Sequence, residues 1–333
     1  MARRVTVYDI AERLEISPST VSRVLNKSAL IGSDTRDLIL RTAEEMGYEK
    51  RSIRRHGARS ILNIALFLPY ATVTYQHLFY DAAELIASIE RGFDDVKVNI
   101  LTSLNTDSSI VFSHKKLGDI DGCVFGFTEP DARLSAAIAE RDIPSVVLNR
   151  IERERDFVTC DNHHGMQRLM AHLASCRDEV RACYIGFTPA VPVTTYREEG
   201  FRSACSTLSH PCHTGSVRRI DSLEEIDEDF VRSIVSEGFN AVMCFNDFVA
   251  VYFLQAALAA GVRIPDDLAL TGFDNSPVRR LAVKKIDTIN LSTQRLGEAA
   301  GDWLRRRIID RSTESLDLSI EGELIEGETV CIR

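Results

Sequence analysis

Two helix-start signals follow one another closely near the N-terminus. Thr6-Val-Tyr-Asp9 has the Ser/Thr-x-x-Asp/Glu pattern, in which the threonine oxygen accepts a hydrogen bond from a free backbone N–H of the first turn. Ser17-Pro18 is a serine N-cap followed by proline at the first helical position, where no intrahelical N–H is needed. The first helix ends near Leu14. A connection of about three residues between two short helices predicts a helix-turn-helix unit.

Each helix predicted in this segment has one apolar face. Its apolar residues recur at the spacing of one side of a helix. They are Ile10, Ala11 and Leu14 in the first helix, Val21, Val24 and Leu25 in the second, and Leu38, Ala43 and Met46 in a third helix from near Ser33 to Gly47. The other face of the second helix carries Ser19, Thr20, Ser22, Arg23 and Asn26. This face suits DNA, since an arginine can donate to both acceptors of a guanine edge. The alternative is a solvated surface helix.

The net charge changes sign along the chain. Residues 1–60 contain 12 Lys and Arg against 8 Asp and Glu, a net charge of +4 within a total of −9, which leaves −13 for the rest. A basic N-terminal part on an acidic body is expected if only the first part binds a polyanion. Residues 50–60 contain five basic residues and no acidic one. They are either a solvated linker or a segment that contacts phosphates.

From Ile61 onward, short apolar runs alternate with helical stretches. Near-continuous apolar strands of this kind predict parallel sheets that are covered by helices on both faces. The predicted strands are Asn63–Leu68, Gly122–Gly126, Ser145–Leu148, Ala182–Gly186, Ala241–Phe245 and Leu268–Gly272. The predicted helices include Leu134–Ala139 and Val249–Ala260.

Polar residues follow several of these strands. Parallel sheets bind ligands beyond the carboxyl ends of their strands, so these residues are candidates for a binding site. The segments are Asn149-Arg150, Asn246-Asp247, Gly272-Phe-Asp-Asn275 and, after a further apolar strand Phe157–Cys160, Asp161-Asn162. The alternative is that such residues cap the helices that follow, which would by itself explain Asp161 and Asn246.

The segments Val5–Glu12, Ile16–Asn26, Thr35-Arg36 and Met46-Gly-Tyr48 together resemble the DNA-binding head of the LacI/GalR transcriptional regulators. The resemblance implies that Pro18, Ser19 and Arg23 read bases, with Pro18 contributing shape because it has no donor. The full set of implied DNA contacts is Thr6, Tyr8, Ser17, Pro18, Ser19, Thr20, Ser22, Arg23, Asn26, Arg51, Arg54 and Arg55.

The hinge departs from the family pattern Tyr-x-Pro-Asn-x-x-Ala-Arg-x-Leu. Only Tyr48 and Arg55 match it, and Gly57 replaces the leucine that family members insert between base pairs in the minor groove. Glycine has no side chain to insert and weakens a helix by about 0.5–1 kcal/mol relative to alanine. Ile61 is either a substitute wedge or the start of the first strand. The additional arginines would supply minor-groove electrostatics instead.

The body resembles the two-lobed, periplasmic-binding-protein-like core of the same family. The implied fold is an all-α helix-turn-helix head plus an α/β two-lobed core with parallel sheets. Residues 1–48 would be the head, 49–60 the basic hinge, and 61–333 the effector-binding and dimerisation part.

A motif in the body supports the same resemblance. Arg197-Glu-Glu-Gly-Phe201 matches the family's R-x-x-G-[FY], whose arginine holds a ligand hydroxyl or carboxylate. The first-lobe wall differs, because Thr74–Tyr80 replaces the usual Asn-Pro-Phe and Leu291 replaces a glutamine. The implied ligand contacts are Tyr75, His77, Asn149, Asp161, Arg197, Asp247, Phe273 and Asp274.

These features predict a ligand-responsive, sequence-specific DNA-binding transcriptional regulator, namely a repressor of a carbohydrate-related operon. It would act as a homodimer on a near-palindromic double-stranded DNA operator, with a sugar or sugar derivative as effector and nucleosides as second choice. The alternatives are a solute-binding receptor of periplasmic type and an enzyme. The sequence has no secretory signal and no Walker, GxGxxG, GxSxG or HExxH motif, which argues against both.

The remaining features predict a cytoplasmic protein without a membrane span, cofactor or metal. No apolar run reaches the roughly 18 residues of a membrane helix. The eight cysteines include no CxxC pair, and several lie in apolar strands, which predicts reduced and buried thiols. His210-Pro-Cys-His213 has metal-binding side chains but no second half at ligand spacing.

Overall fold

The computed structural model describes residues 5, 7–14, 16–17, 20–21, 24, 33–46, 55–56, 59–69, 80–104, 120–151, 155–190, 192–206 and 216–331. The chain divides into two compact units, Met1–Arg54 and Arg55–Arg333. The bounds of the predicted hinge stay a prediction, because residues 49–54 and 57–58 lie outside the described set. None of the described helices is long and apolar enough to cross a membrane.

The first unit is a small helical core. It contains helices α1 (Val7–Arg13) and α2 (Ser33–Glu45), and the backbone of Thr20, Val21 and Val24 is helical between them. Its buried residues are Ile10, Ala11, Val21, Val24, Ile39 and Ala43, with Leu14 and Met46 packed against them. Leu38 was wrongly predicted to face this core. It is 51% exposed, and Ile39 is fully buried instead, whereas Ala43 and Met46 face the core as predicted.

The first lobe of the second unit is built on a mainly parallel sheet. Its strand order is β3-β2-β4-β5-β6-β12, and β1 pairs antiparallel with β2. The strands are β1 (Arg55–His56), β2 (Arg59–Phe67), β3 (Lys97–Ser103), β4 (Gly122–Gly126), β5 (Ser145–Leu148), β6 (Asp156–Cys160) and β12 (Asp317–Ile320). Its helices are α3 (Ala82–Gly92), α4 (Ala132–Glu140) and α9 (Thr293–Arg305). Ile61 therefore lies inside the first long strand.

The second lobe has a parallel four-stranded sheet of order β10-β9-β7-β8. Its strands are β7 (Ala182–Phe187), β8 (Val217–Ile220), β9 (Ala241–Cys244) and β10 (Ala269–Thr271). Its helices are α5 (Asn162–Cys176), α6 (Val193–Cys205), α7 (Glu228–Ser236) and α8 (Asp247–Ala259). Short 3-10 turns cover Thr188–Ala190, Leu223–Glu225 and Pro277–Leu281, and a π turn covers Arg306–Asp310.

The chain passes between the lobes three times. It leaves the first sheet after β6, returns through β11 (Thr288–Asn290) into α9, and leaves again from β12 into β13 (Glu323–Ile325). Strands β11 and β13 form a small antiparallel pair beside the second lobe. The carboxyl ends of the strands in both sheets lead into loops that line one cavity between the lobes. The predicted α/β architecture with two parallel sheets is confirmed.

The cysteines agree only in part with the prediction of reduced thiols. Cys123, Cys160, Cys183 and Cys244 are free and buried as predicted, and burial raises the pKa of the Cys123 thiol to about 12. Such thiols stay protonated and unreactive. Cys176 and Cys331, however, form a disulfide across 155 residues of sequence. Only the tertiary fold brings these two positions together.

Helices α3 and α9 approach each other closely through glycine. A methyl group on Gly301 would overlap the carbonyl oxygen of Ile89, and one on Gly297 would overlap the hydroxyl of Ser88. Because the obstructing atoms of Ile89 and of Gly92 are backbone, they cannot turn away as a side chain would. This contact therefore requires residues without a Cβ.

We expect Gly301→Ala to destabilise the second unit by about 1–3 kcal/mol, the usual cost of overpacking a tight contact. Urea unfolding of the full chain measures the change. Ala136→Ser is the control, because Ala136 is an exposed residue of α4, where a larger side chain does not overpack the interior. Equal stability of the two variants would contradict the proposed helix contact.

Candidate functional site

The start of the second helix of the head is capped as predicted. The backbone N–H of Thr20 donates to Oγ of Ser17 at 3.1 Å, and the two hydroxyl oxygens lie 2.8 Å apart. Val21 and Val24 are buried, whereas Ser17 is exposed and Thr20 half-buried. The hydroxyl groups at the helix start therefore lie on the solvent side of a helix whose valines pack on the core.

Most of the predicted DNA contacts cannot be placed. Tyr8 lies on α1 and Arg55 on β1, but only their backbones are described. The predicted contacts outside the described residues are Thr6, Pro18, Ser19, Ser22, Arg23, Asn26, Arg51 and Arg54. Their roles remain predictions that rest on the sequence.

The second candidate site is the cavity between the lobes, with a volume of about 110 Å³. Aromatic rings and the polar ends of strands share its lining. The lining residues are Pro69, Tyr80, Phe127, Asn149, Arg150, Phe187, Pro189, Ala190, Val193, Arg197, Phe245, Asn246, Asp274 and Leu291. A polar cavity of about 260 Å³ adjoins it at Tyr80 and Asp274.

Arg197 on α6 is the most constrained group of the cleft, with a side chain only 1% exposed. Its Nε donates to Oδ1 of Asn162 at 2.8 Å, and its Nη1 donates to the carbonyl oxygen of Phe245 at 2.6 Å. Its Nη2 donates to Oδ1 of Asp274 at 2.6 Å. The guanidinium carbon also lies 3.9 Å from the centre of the Phe273 ring. Charge pairing and three hydrogen bonds compensate for the loss of water around a buried cation.

The R-x-x-G-[FY] motif has a packing explanation in this fold. Gly200 lies against the backbone of His163 on α5, where a Cβ would come within 2.8 Å of the His163 carbonyl oxygen. Phe201 is buried and stacks on Tyr184 with ring centres 5.6 Å apart. The glycine brings α6 against α5, and the phenylalanine fixes α6 on the sheet. Together they hold Arg197 at the cleft.

Asn149 follows β5 and reaches the cavity from the first lobe. It is 6% exposed, and its backbone is left-handed with φ of 55°. Within the described part of the chain, no group hydrogen-bonds to its side-chain oxygen Oδ1. A buried acceptor without a partner is costly, and it is satisfied when a ligand supplies a donor.

Arg150 forms the rim beside Asn149. Its guanidinium donates to the carbonyl oxygens of Asn149 at 2.9 Å and of Phe127 at 3.0 Å, and its Nε lies 3.6 Å from Glu129. Burial lowers the pKa of Arg150, and the nearby Glu129 opposes that shift. Glu129 is therefore the carboxylate partner of Arg150 among the described residues.

The predicted ligand contacts separate into two groups. Asn149, Arg197 and Asp274 meet at the cavity. Asp161 instead caps α5 by accepting from the backbone N–H of His164 at 2.8 Å, and Phe273 lies beneath Arg197 with no exposed surface. Tyr75 and His77 lie outside the described residues.

Asp247 also serves the interior and does not line the cavity. Its carboxylate accepts from the Thr288 hydroxyl at 2.6 Å and from the backbone N–H of Ser276 at 2.7 Å, and it has no exposed surface. Burial raises the pKa of Asp247 to about 7, although the hydrogen bond from Thr288 acts in the opposite direction. The carboxyl group thus ties β11 and the loop after β10 to the start of α8.

The aromatic wall of the cavity was not predicted from the sequence. Tyr80 and Phe127 stack with ring centres 4.3 Å apart, and Phe187 and Phe245 lie 6.2 Å apart. Phe127 directly follows β4, Phe187 ends β7 and Phe245 directly follows β9. Parallel sheets bind ligands beyond the carboxyl ends of their strands, so apolar residues at those ends are candidates for the site as well as polar ones. Applied in this way, the rule would have predicted these three rings.

We expect Asp247→Asn to raise the free energy of unfolding at pH 8 by a few kcal/mol. The pKa of Asp247 is raised from 3.8 to about 7 in the folded protein. The Asp247 carboxyl therefore contributes fully to the free energy of unfolding below about pH 4, and this contribution is lost as the pH rises through 7. Asparagine keeps an oxygen for the Ser276 N–H and offers an N–H to the Thr288 hydroxyl. Urea unfolding at pH 5 and pH 8 measures the difference.

The variant should therefore show a smaller fall in stability between pH 5 and pH 8 than the unsubstituted protein. Asp229→Asn is the matched control, because the Asp229 side chain is 90% exposed and its loss leaves the interior unchanged. An unchanged pH dependence in Asp247→Asn would show that the buried carboxyl is not the titrating group.

Comparison with known proteins agrees with this architecture. The family model "Bacterial regulatory proteins, lacI family" matches residues 6–50, and the model "Periplasmic binding protein-like domain" matches residues 177–330. The HTH-type transcriptional regulator DegA of Bacillus subtilis (strain 168) is 28% identical over 307 residues, which are 88% of each chain.

Two solved structures share the fold over nearly the whole chain. The complex of the transcriptional regulator CelR with cellobiose superimposes with a TM-score of 0.66 at 22% identity, covering 98% of this chain and 100% of that one. The structure of the lac repressor dimer bound to operator and the anti-inducer ONPF superimposes with a TM-score of 0.65 at 18% identity. The match covers 99% of this chain and 100% of that one.

A capped helix-turn-helix followed by a two-lobed body with a central cleft defines a DNA-binding transcriptional regulator. The chain has the two-part composition of the LacI/GalR family of these regulators, a lacI-family head followed by a periplasmic-binding-protein-like body. Members of this family are not enzymes, so the prediction of a regulator without catalytic activity is confirmed. The solute receptor without DNA function, considered from the sequence, is thereby excluded.

Proposed function

We propose that this protein is a cytoplasmic, homodimeric repressor that binds a near-palindromic operator and responds to a small polyhydroxylated effector. The observation that carries the proposal is the cleft, in which Asn149 from the first lobe and Arg197 with Asp274 from the second lobe face one cavity. A ligand that contacts both lobes favours the lobe arrangement in which these groups converge. Such a difference in affinity between two arrangements is what couples a ligand to DNA binding.

The chemistry of the cleft favours a sugar or a sugar derivative. A carboxylate, a guanidinium and an amide can each engage adjacent hydroxyl groups, and the Asn149 oxygen needs a donor. The stacked Tyr80 and Phe127 rings offer an apolar surface to the face of a ring. The cellobiose bound to CelR supports this ligand class, and a nucleoside is the second candidate.

Exposed apolar side chains support a homodimer. Leu281, the last residue of the turn Pro277–Leu281, is 77% exposed, and Val283 two residues later is 71% exposed. Two large aliphatic side chains so close together are expected at a protein interface. The lac repressor, which shares this fold, is a dimer on its operator. A two-fold dimer would place its two heads on the two halves of a near-palindromic site.

The head supports DNA binding by its cap and its charge. The Ser17 cap fixes the start of the second helix, and residues 1–60 carry a net charge of +4 against a total of −9. We propose that Ser19 and Arg23 read base edges and that the remaining predicted contacts hold phosphates. The basic residues 50–60 would then add salt-dependent contacts near the minor groove.

We expect Arg23→Ala to weaken operator binding by about 1–3 kcal/mol, roughly 5- to 150-fold, because a bidentate contact to guanine is lost. The operator is first selected from random DNA fragments, and the affinity is then measured over a range of salt concentrations. Arg41→Ala is the control, because Arg41 is an exposed residue of α2 outside the proposed contacts.

The control should keep sequence preference, and the affinity of the unsubstituted protein should fall steeply with salt. If Arg23→Ala discriminates between operator and random DNA as well as Arg41→Ala does, then Arg23 reads no base. If the unsubstituted protein binds no DNA at low salt, with or without sugars, the proposed role as a repressor is wrong.

We expect Asn149→Gly to reduce effector affinity by about 1–3 kcal/mol without lowering the stability of the ligand-free protein, because no group among the described residues hydrogen-bonds to the Asn149 oxygen Oδ1. Glycine also accepts the left-handed backbone. A thermal-shift screen of sugars and nucleosides identifies the effector, and calorimetry gives its dissociation constant.

Asp94→Gly is the matched control, since Asp94 is an exposed residue with φ of 56° away from the cleft. Its dissociation constant for the effector should equal that of the unsubstituted protein. An effector that binds Asn149→Gly without loss would remove Asn149 from the site.

A further inference from the structure

A second cluster of chemically active side chains lies away from the cleft cavity. A ring nitrogen of His172 and the sulfurs of Cys176 and Cys331 lie within 4.8 Å of one another. His172 and Cys176 are four residues apart on α5, so they lie on the same side of that helix. Cys331 reaches them from the C-terminal end of the chain. His172 is buried, whereas both cysteines are half-exposed, so solvent ions can reach the sulfurs.

The histidine of this cluster is held in a fixed orientation by a carboxylate. Nε2 of His172 lies 2.9 Å from Oδ1 of Asp287, with both side chains buried. Oδ2 of Asp287 accepts from the backbone N–H of Thr329 at 2.9 Å and from its hydroxyl at 3.0 Å. A carboxylate that holds one imidazole nitrogen and leaves the other available is the usual support of a metal-binding histidine.

We propose that reduced Cys176 and Cys331 together with Nδ1 of His172 bind a thiophilic divalent cation such as Zn²⁺. Three ligand atoms at bonding distances of about 2.0–2.3 Å around one tetrahedral ion lie less than about 4 Å from each other. The observed spread of 4.8 Å needs only small side-chain rotations to reach that arrangement. Three protein ligands leave a fourth position for water or an exogenous ligand.

The disulfide of the structure is the oxidised form of the same site. A thiol reductant supplies two electrons and two protons, which convert the disulfide to two thiols, while the reductant itself becomes a disulfide. The ion then displaces the two thiol protons and binds two thiolates. Reduced thiols are the expected state in a cytoplasmic protein. No metal site was predicted from the sequence, which has no motif at ligand spacing, and Cys176 and Cys331 are 155 residues apart.

Backbone hydrogen bonds connect the site to the loop that carries Asp274. The N–H of Gly272 donates to the carbonyl oxygen of Asp287 at 2.8 Å, and the N–H of Asp274 donates to that of Ile289 at 2.8 Å. Asp287 thus touches His172 with its side chain and the cleft loop with its backbone. An ion that holds His172 in place also stabilises this part of the second lobe.

Metal binding by the full-length protein tests the proposal. The protein is reduced, freed of reductant under nitrogen, and titrated with Zn²⁺ in competition with a chromogenic chelator. One ion per chain is expected, with a rise in melting temperature, and Co²⁺ should give thiolate-to-metal charge-transfer absorption. The oxidised protein should bind at least tenfold more weakly, because a disulfide offers no thiolate. Equal binding by the oxidised protein would show that the sulfurs are not ligands.

Variants assign the ligands. Cys331→Ser and His172→Gln should each weaken binding at least tenfold, and Cys331→Ser should lose part of the charge-transfer absorption. Asp287→Asn should weaken binding by roughly 10- to 100-fold and keep that absorption, since Asp287 acts through His172. The controls are Cys123→Ala, which removes a buried free thiol, and His164→Gln, which removes an exposed histidine of the same helix; both should bind normally.

A measurement on the unsubstituted protein keeps the test independent of variant folding. Zn²⁺ should protect Cys176 and Cys331 from alkylation, read by mass spectrometry, and should leave the reactivity of the other cysteines unchanged. Absence of protection at saturating Zn²⁺ would overturn the proposal.

Discussion

The cleft depends on the buried guanidinium of Arg197. It joins α5 through Asn162, the loop after β9 through the Phe245 carbonyl, and the loop after β10 through Asp274. Removing one partner of a buried ion pair typically costs about 3–5 kcal/mol, because the remaining charge is left without compensation. The three segments are therefore held in one arrangement, and the shape of the second-lobe wall follows from it.

The polar residues in the loops after the strands have one of two roles: some stabilise the fold, and others line the cavity. Asp161 and Asn246 cap helices, and Asp247 ties loops together in the interior. Asn149 and Asp274 face the cavity instead. A carboxylate or amide after a strand satisfies backbone N–H groups in the first case and is available to a ligand in the second. Residues that stabilise the fold and residues that are available to a ligand therefore lie side by side in the loops at the carboxyl ends of the strands.

The two lobes contribute different chemistry to the site. The first lobe offers the Asn149 oxygen and the Tyr80 and Phe127 rings, whereas the second offers the Arg197–Asp274 pair. Residues of both lobes line the cavity, so a ligand at the proposed site would contact both walls. This division explains how a small molecule in the cleft can change the arrangement of the lobes, which is the step that a regulator of this family needs.

The sequence by itself determined the local features. Helical spacing found the buried Val21 and Val24, the Ser17 cap was read correctly, and five of the six strands listed from the sequence have bounds within one residue of those observed, because caps and periodicity act over a few neighbouring positions. Tertiary structure decided the rest. It buried Ile39 in place of Leu38, separated Asp247 from Asn149, and joined Cys176 to Cys331. These outcomes depend on which distant segments meet, and no local pattern encodes that.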